Sequence, residues 1–235
     1  MSILEQMTER YRDVASKCGE NSTAAYHYAR ICLALTIGIS IDHTLSAPTF
    51  YWLQKLATAL FDVKRILAVS PEEIPRKEIS LTTPQYLTEF VALSEKHSTL
   101  LSNQMPTEPL NVSFGLEEYL YVVPMNGNLL WCTEAASIDD TFYARSWQSG
   151  RIIHPILAAQ FQFKICAAGE ISFVPRTTHS GLTWAVIVNH RSGHFPVAHL
   201  KAADLAKIVH SSIPSDELFA IVAIASDGAA IIQLS

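Results

Sequence analysis

The chain has 235 residues and a formal net charge of −5, and 49% of its residues are hydrophobic while 17% are charged. Soluble domains average about 25% charged residues. Intrinsic disorder requires low hydrophobicity and high net charge, so this composition excludes it. The 17 Lys and Arg residues face 22 Asp and Glu residues and form no long basic run, which argues against a nucleic-acid partner. The excess apolar surface must therefore be buried in a core or in an interface.

The most apolar stretch, residues 31–41, lies between Arg30 and Asp42. A membrane-spanning helix needs about 20 apolar residues, so this shorter stretch predicts a buried helix and no membrane span. The amino terminus carries charges before any apolar run, which is not the pattern of a secretory signal. The four cysteines are widely spaced, so we expect neither a disulfide framework nor a zinc site. These features predict a cytoplasmic protein, or one secreted into the cytosol of a host cell.

Apolar residues in the first 104 positions recur at helical spacing. Four helices are expected, over residues 2–18, 22–38, 47–67 and 84–101. Glycines and prolines between them mark short connections. Four helices joined in this way indicate an antiparallel bundle.

The stretch 103–109 has the composition of a linker, and the pattern beyond it is that of β-strands. Asn126-Gly127 and the segment 226–228 are hairpin signals, which favour antiparallel pairing. One helix is expected at 199–210. The expected strands are 119–123, 129–132, 161–165, 171–174, 182–188, 218–224 and 229–234.

The predicted fold class is therefore α+β, an N-terminal antiparallel helical bundle packed on a C-terminal mainly antiparallel sheet with one helix. We expect a helical region over residues 1–104 and a β-rich domain over 110–235, either separate or joined in one fused core. The strands at 182–188 and 218–234 are apolar on both faces, so each face needs a cover. The expected helices or a second subunit would supply it, which makes a homo-oligomer a further hypothesis.

Histidines are concentrated late in the chain, and the densest run follows the apolar strand 182–188. It reads Asn189-His-Arg-Ser192-Gly193-His194-Phe195-Pro196. Side chains at the end of a buried strand are held rigidly yet reach solvent, which is where sites are often built. An ordinary capped turn is the competing interpretation.

Two further segments carry polar groups that suit chemistry. Glu170 follows small residues in a strand context, where its carboxylate either faces solvent or points into a site. His154, with Arg151 nearby, is expected at a strand end before Pro155. Two histidines and a glutamate are the groups of general acid–base catalysis. His190 and His194 would share a face only on a helix, which the Ser-Gly turn and Pro196 oppose, so we expect no metal site and no cofactor.

Four motifs occur in order between residues 118 and 196. They are Tyr121-Val122 with the Asn126-Gly127 hairpin, His154 with a small-residue loop, Ala168-Gly169-Glu170, and Asn189-x-x-Ser192-Gly193-His194-Phe195. With these motifs a third of the chain resembles a small β module of polymorphic-toxin-like and effector-like proteins. The resemblance implies a fold unit and a conspicuous polar set, but no named reaction. Pro155 and Ile156 stand where the module usually has serines, and Phe195 stands where tyrosine is common.

The residues and the resemblance leave three functional hypotheses. The first is an effector- or toxin-like protein whose β-rich module binds a small-molecule ligand or a protein partner through the Ser-Gly-His turn. The second is a hydrolase or transferase, and the third is a structural interaction domain without a site. The candidate catalytic residues are His154, Glu170, Asn189 and His194, and the candidate ligand-binding residues are Arg151, Ser192, Gly193 and Phe195.

Overall fold

The structure of the protein is a computed structural model. The structure describes residues 3–19, 22, 24–25, 28, 66–107, 118–134, 151–178, 181–196, 199–214, 216, 218–225 and 227–234. Most of the predicted second and third helices, including the apolar stretch 31–41, lies outside the described residues. Across the described ranges, no helix has the length and apolar character needed to cross a membrane.

Helices are few and short in these ranges. They are α1 (Ile3–Cys18), α2 (Leu87–Lys96), α3 (His154–Ala158) and α4 (Ala202–His210). Single 3₁₀ turns occur at Pro84–Tyr86, Ser98–Leu100 and Ala159–Phe161. The strands are β1 (Ile66–Ala68), β2 (Leu101–Ser102), β3 (Tyr119–Pro124), β4 (Leu130–Cys132), β5 (Ile165–Thr178), β6 (Gly181–Asn189), β7 (Leu218–Ala225) and β8 (Gly228–Gln233).

These strands form one mixed sheet in the order β1-β8-β7-β6-β5-β3-β4-β2. Strand β3 pairs antiparallel with β4 and β5, and β7 pairs antiparallel with β8. Strands β6 and β7 run parallel. A parallel pair requires a crossover connection, and α4 lies in that connection and packs on β7 and β8.

The predicted fold class is wrong, because the described residues form a large mixed sheet instead of a helical bundle packed on an antiparallel sheet. Both edge strands, β1 and β2, come from the first 104 residues. Residues 66 and 67, predicted as the end of the third helix, belong to strand β1. A short apolar run is compatible with both a helix and a strand. Its position beside β8 in the sheet shows that it is a strand. The bond from the Val69 N–H to the Ile231 carbonyl extends that pairing.

Individual elements agree with the sequence better than the overall architecture does. The first helix and the core of the fourth are confirmed, although the fourth ends at Lys96 and Leu101–Ser102 pairs with β4 instead. The strand predicted at 161–165 is wrong, because Gln162 and Phe163 have positive φ angles and β5 starts at Ile165. His154 begins a helix and does not end a strand.

Residues Leu67–Glu108, Glu117–Phe173 and Trp184–Ser235 form one compact unit, separate from the unit that contains α1. Inside the larger unit, Phe90 of α2 is fully buried in a cluster with residues of β3 and α3. Leu120, Ile152 and Phe195 also belong to this cluster. The same three side chains form apolar walls of a cleft on this face of the sheet.

Candidate functional site

The carboxyl end of β6 lies directly against Gly169 of β5. A Cβ atom built on Gly169 would overlap the backbone oxygen of Asn189. Tyr121, which is opposite Gly169 in β3, donates its hydroxyl to that same oxygen at 2.8 Å. Glycine therefore permits a close approach that no other residue type would allow without moving a strand.

The Asn189 side chain connects this contact to Glu170. Its Nδ2 donates to Glu170 Oε2 at 2.6 Å, and its Oδ1 accepts from the Glu170 N–H at 3.0 Å. Oδ1 also accepts from the Arg191 N–H at 2.9 Å. Because Asn189 is buried, these bonds hold the carboxylate in one orientation and start the loop that follows β6.

His154 is bound to the same glycine from the other side. Its Nε2 lies 2.9 Å from the Gly169 carbonyl oxygen, and the ring is buried at the start of α3. Burial lowers the pKa of His154 to about 4, against the effect of that hydrogen bond. Nearby His194 and Arg151 lower it further. The ring is therefore neutral near pH 7, and Nε2 carries its proton because a carbonyl oxygen only accepts.

The loop 190–196 is attached to the chain segment that precedes α2. Thr82 donates both its backbone N–H and its hydroxyl to the His194 carbonyl oxygen, each at 2.9 Å. The His194 ring makes an edge contact with Phe90 of α2, with ring centroids 6.4 Å apart. These contacts fix the backbone of the loop and leave its side chains to line the cleft.

The cleft beneath this loop has a volume of about 520 Å³. Seven of the eight predicted site residues line it, and Asn189 lies behind Glu170 as its hydrogen-bond partner. The seven are Arg151, His154, Glu170, Ser192, Gly193, His194 and Phe195. The structure thus brings three separate sequence segments together, while the roles predicted for their residues stay hypotheses.

Three buried polar atoms of the loop have no hydrogen-bond partner among the described residues: His190 Nδ1, Ser192 Oγ and His194 Nδ1. Burial lowers the pKa of both His190 and His194. Asp227 and the Ile224 carbonyl oppose that shift at His190. The cleft therefore holds neutral imidazoles near pH 7, which can accept or donate hydrogen bonds and can transfer protons.

Several contributors were missing from the predicted site. His190 and Arg191 line the cleft, and their place in the histidine run was the signal that could have identified them. Thr82 carries no such signal, because its partner is 112 residues away in sequence. Among the described residues, no three His, Cys, Asp or Glu side chains are placed to hold a metal ion.

Comparison with known proteins adds no relative, since no protein-family model, curated protein or solved structure matches the chain. The function must therefore be inferred from the chemistry of the cleft.

Replacing Gly169 by alanine should destabilise the protein by about 1–3 kcal/mol, since the new methyl group overlaps the Asn189 backbone. Gly193→Ala is the matched control, because a Cβ there meets no atom of the described residues within 4 Å. Urea denaturation of both variants provides the free energies of unfolding. Equal stability of the two variants would contradict the close contact at Gly169.

Acid should destabilise the protein through His154, because its pKa is lower in the folded state than in the unfolded state. The unfolded chain then binds more protons as the pH falls below about 6.5, so stability decreases toward pH 4. Between pH 7 and pH 5 the loss from this residue should be about 2 kcal/mol.

The measurement is urea denaturation of wild type and His154→Gln at both pH values. Glutamine can still donate to the Gly169 carbonyl but does not titrate. The variant should therefore lose less stability on acidification than wild type. His199→Gln, at an exposed position, should behave as wild type. The same pH dependence in wild type and His154→Gln would show that His154 does not cause it.

Proposed function

We propose that this protein binds a small organic ligand in the cleft, through the loop 190–196 that carries Ser192, Gly193 and His194. The observation that carries the proposal is the group of three buried polar atoms on this loop that have no hydrogen-bond partner in the described part of the chain. Buried polar groups are nearly always hydrogen-bonded, and each one left unpaired costs about 1–3 kcal/mol. The residues that bear these atoms line the cleft, so a ligand bound there recovers that free energy when the side chains turn toward it.

The size and walls of the cleft support a small molecule over a protein partner. Its volume of about 520 Å³ lies within the usual range of ligand pockets, roughly 300–1,000 Å³. Leu120, Ile152 and Phe195 give it apolar walls, and the loop supplies polar groups at one side. Mostly apolar walls with a few convergent polar groups are typical of ligand sites. An effector- or toxin-like role for such binding stays a prediction, based on the resemblance of the β module.

A hydrolase or transferase is the second candidate, and one observation favours it. His154 and His194 both line the cleft, and burial lowers the pKa of both rings. His194 is the candidate general base of such an enzyme, and Glu170, held by Asn189, lines the same cleft.

The proposal is tested by saturation-transfer NMR on five fragment mixtures, each of one chemical class. The classes are neutral sugars with polyols, amino acids, nucleosides, dicarboxylates and sugar phosphates. At least one class should receive saturation from wild type and lose it with His194→Ala and with Ser192→Ala, because these changes remove the polar groups of the loop. His199→Ala is the control at an exposed position, and a thermal melt of each variant checks the fold.

The absence of saturation transfer to every class, or binding that both loop variants retain, would contradict the proposal. Spectra of the same mixtures over hours test the second candidate. Conversion of a fragment by wild type, lost in His154→Gln, would identify an enzyme. Fragments that bind and stay unchanged favour a binding protein.

A further inference from the structure

A segment outside the cleft is attached to the loop that lines it. Residues 69–82, which we call the strap, lead from β1 toward the 3₁₀ turn at Pro84–Tyr86 without forming a helix. Most of the side chains of the strap are exposed. Its last residue, Thr82, donates its N–H and its hydroxyl to the carbonyl oxygen of His194, each at 2.9 Å. The strap therefore ends on the binding loop.

Arg76 fastens the middle of the strap to two other elements. Its guanidinium donates to the carbonyl oxygens of Pro124 at 2.8 Å and Gly127 at 3.0 Å, in the turn between β3 and β4. It also donates to the hydroxyl of Ser212, just after α4, at 2.9 Å. A guanidinium is planar and rigid, and its hydrogen bonds are charge-assisted, so this attachment is a firm one.

Ile79 fastens the strap again, three residues before Thr82. Its N–H donates to the Ile165 carbonyl oxygen of β5 at 2.9 Å, and its side chain is buried in the cluster that contains Phe195. Phe195 follows His194 directly, so the strap and the end of the loop pack in one cluster. Burial of Phe195 fixes where the loop ends, and the two bonds from Thr82 fix the orientation of the peptide group that precedes Phe195.

The tip of the loop is positioned from its two flanks. Gly193 is exposed, and a Cβ atom built there would meet no atom of the described residues within 4 Å. The tip therefore gains little orientation from packing. The Asn189 side chain holds one flank through the Arg191 N–H, and Thr82 holds the other flank through the His194 carbonyl.

We propose that Thr82 is a positioning residue of the cleft, which sets the place of His194 and Ser192 without contacting the ligand, so that ligand affinity depends on it. The inference rests on the proposed function and deepens it, because it names the element that controls the same site. Thr82 is exposed and does not line the cleft. Through the strap, the turn between β3 and β4 and the end of α4 are connected to the binding loop.

The test compares Thr82→Val with Thr83→Val. The first change removes the hydroxyl that donates to His194 and keeps the backbone N–H. The second makes the same change at the neighbouring residue, whose buried hydroxyl has no partner among the described residues. Thr82→Ser keeps a hydroxyl donor and should behave as wild type. Urea denaturation of each variant measures the accompanying change in stability.

The first readout needs no ligand, since it is the titration of the His194 ring followed by NMR. Burial lowers the pKa of His194, and a loop that loses one of its bonds exposes the ring to more water. Thr82→Val should therefore raise the pKa of His194 toward its ordinary value near 6.5. Thr83→Val should leave this pKa unchanged. The His194 signal is identified by its loss in His194→Ala.

The second readout is affinity. The probes are the fragments that bind wild type, from the mixtures of neutral sugars with polyols, amino acids, nucleosides, dicarboxylates and sugar phosphates. Loss of a neutral hydrogen bond corresponds to a factor of about three to ten in an equilibrium constant. In saturation-transfer titrations we expect a loss of affinity of that size with Thr82→Val, and wild-type affinity with Thr83→Val.

Three other results have definite meanings. If Thr82→Val lowers the free energy of unfolding but leaves the His194 pKa and the affinity as in wild type, Thr82 only stabilises the fold and the inference fails. Equal effects of Thr82→Val and Thr83→Val also overturn it, because only the Thr82 hydroxyl is predicted to act on the loop. If no fragment binds, the proposed function fails, and the His194 titration alone decides whether Thr82 positions the loop.

Discussion

The contact between the end of β6 and Gly169 is the constraint on which the cleft depends. Asn189 lies so close to this glycine that its backbone oxygen occupies the space a side chain would take. From that position Asn189 binds Tyr121 through its backbone and Glu170 through its side chain. The Gly169 carbonyl binds His154 from the other direction. One glycine thus aligns β3, β5, β6 and α3, and two of the cleft's polar side chains take their orientation from it.

Local patterns in the sequence predicted most of the C-terminal strands but not the sheet they form. Tyr119–Pro124 and Leu218–Ala225 are strands as expected. Pairing partners are long-range, however, and nothing in the short run at residues 66–68 or in Leu101–Ser102 indicated that these residues form the two edges of the sheet. The parallel pairing of β6 with β7 was missed because tight-turn signals identify only hairpin partners, whereas these two strands are joined by a crossover that contains α4.

The structure brings most of the candidate site residues to one cleft, because they sit in compact motifs with unusual composition, while their function as a site stays a prediction. The histidine run after β6 and the Ala-Gly-Glu segment both line or support the cleft. The sequence did not indicate which of these residues line the cleft and which support them through hydrogen bonds. Asn189 supports Glu170 from behind, and Thr82 anchors the loop from a segment that was expected to connect helices. Such pairings depend on tertiary distances that no spacing rule encodes.

The central claim is that the Gly169 contact fixes neighbouring groups so that the cleft presents acceptors near neutral pH. The most direct measurement is the ¹⁵N chemical shifts of the His154 ring, recorded by NMR between pH 7 and pH 5. The account predicts a neutral ring protonated on Nε2 across this range, because burial lowers its pKa to about 4 and Nε2 donates to Gly169. An imidazolium at pH 7, or a ring protonated on Nδ1 alone, would contradict it.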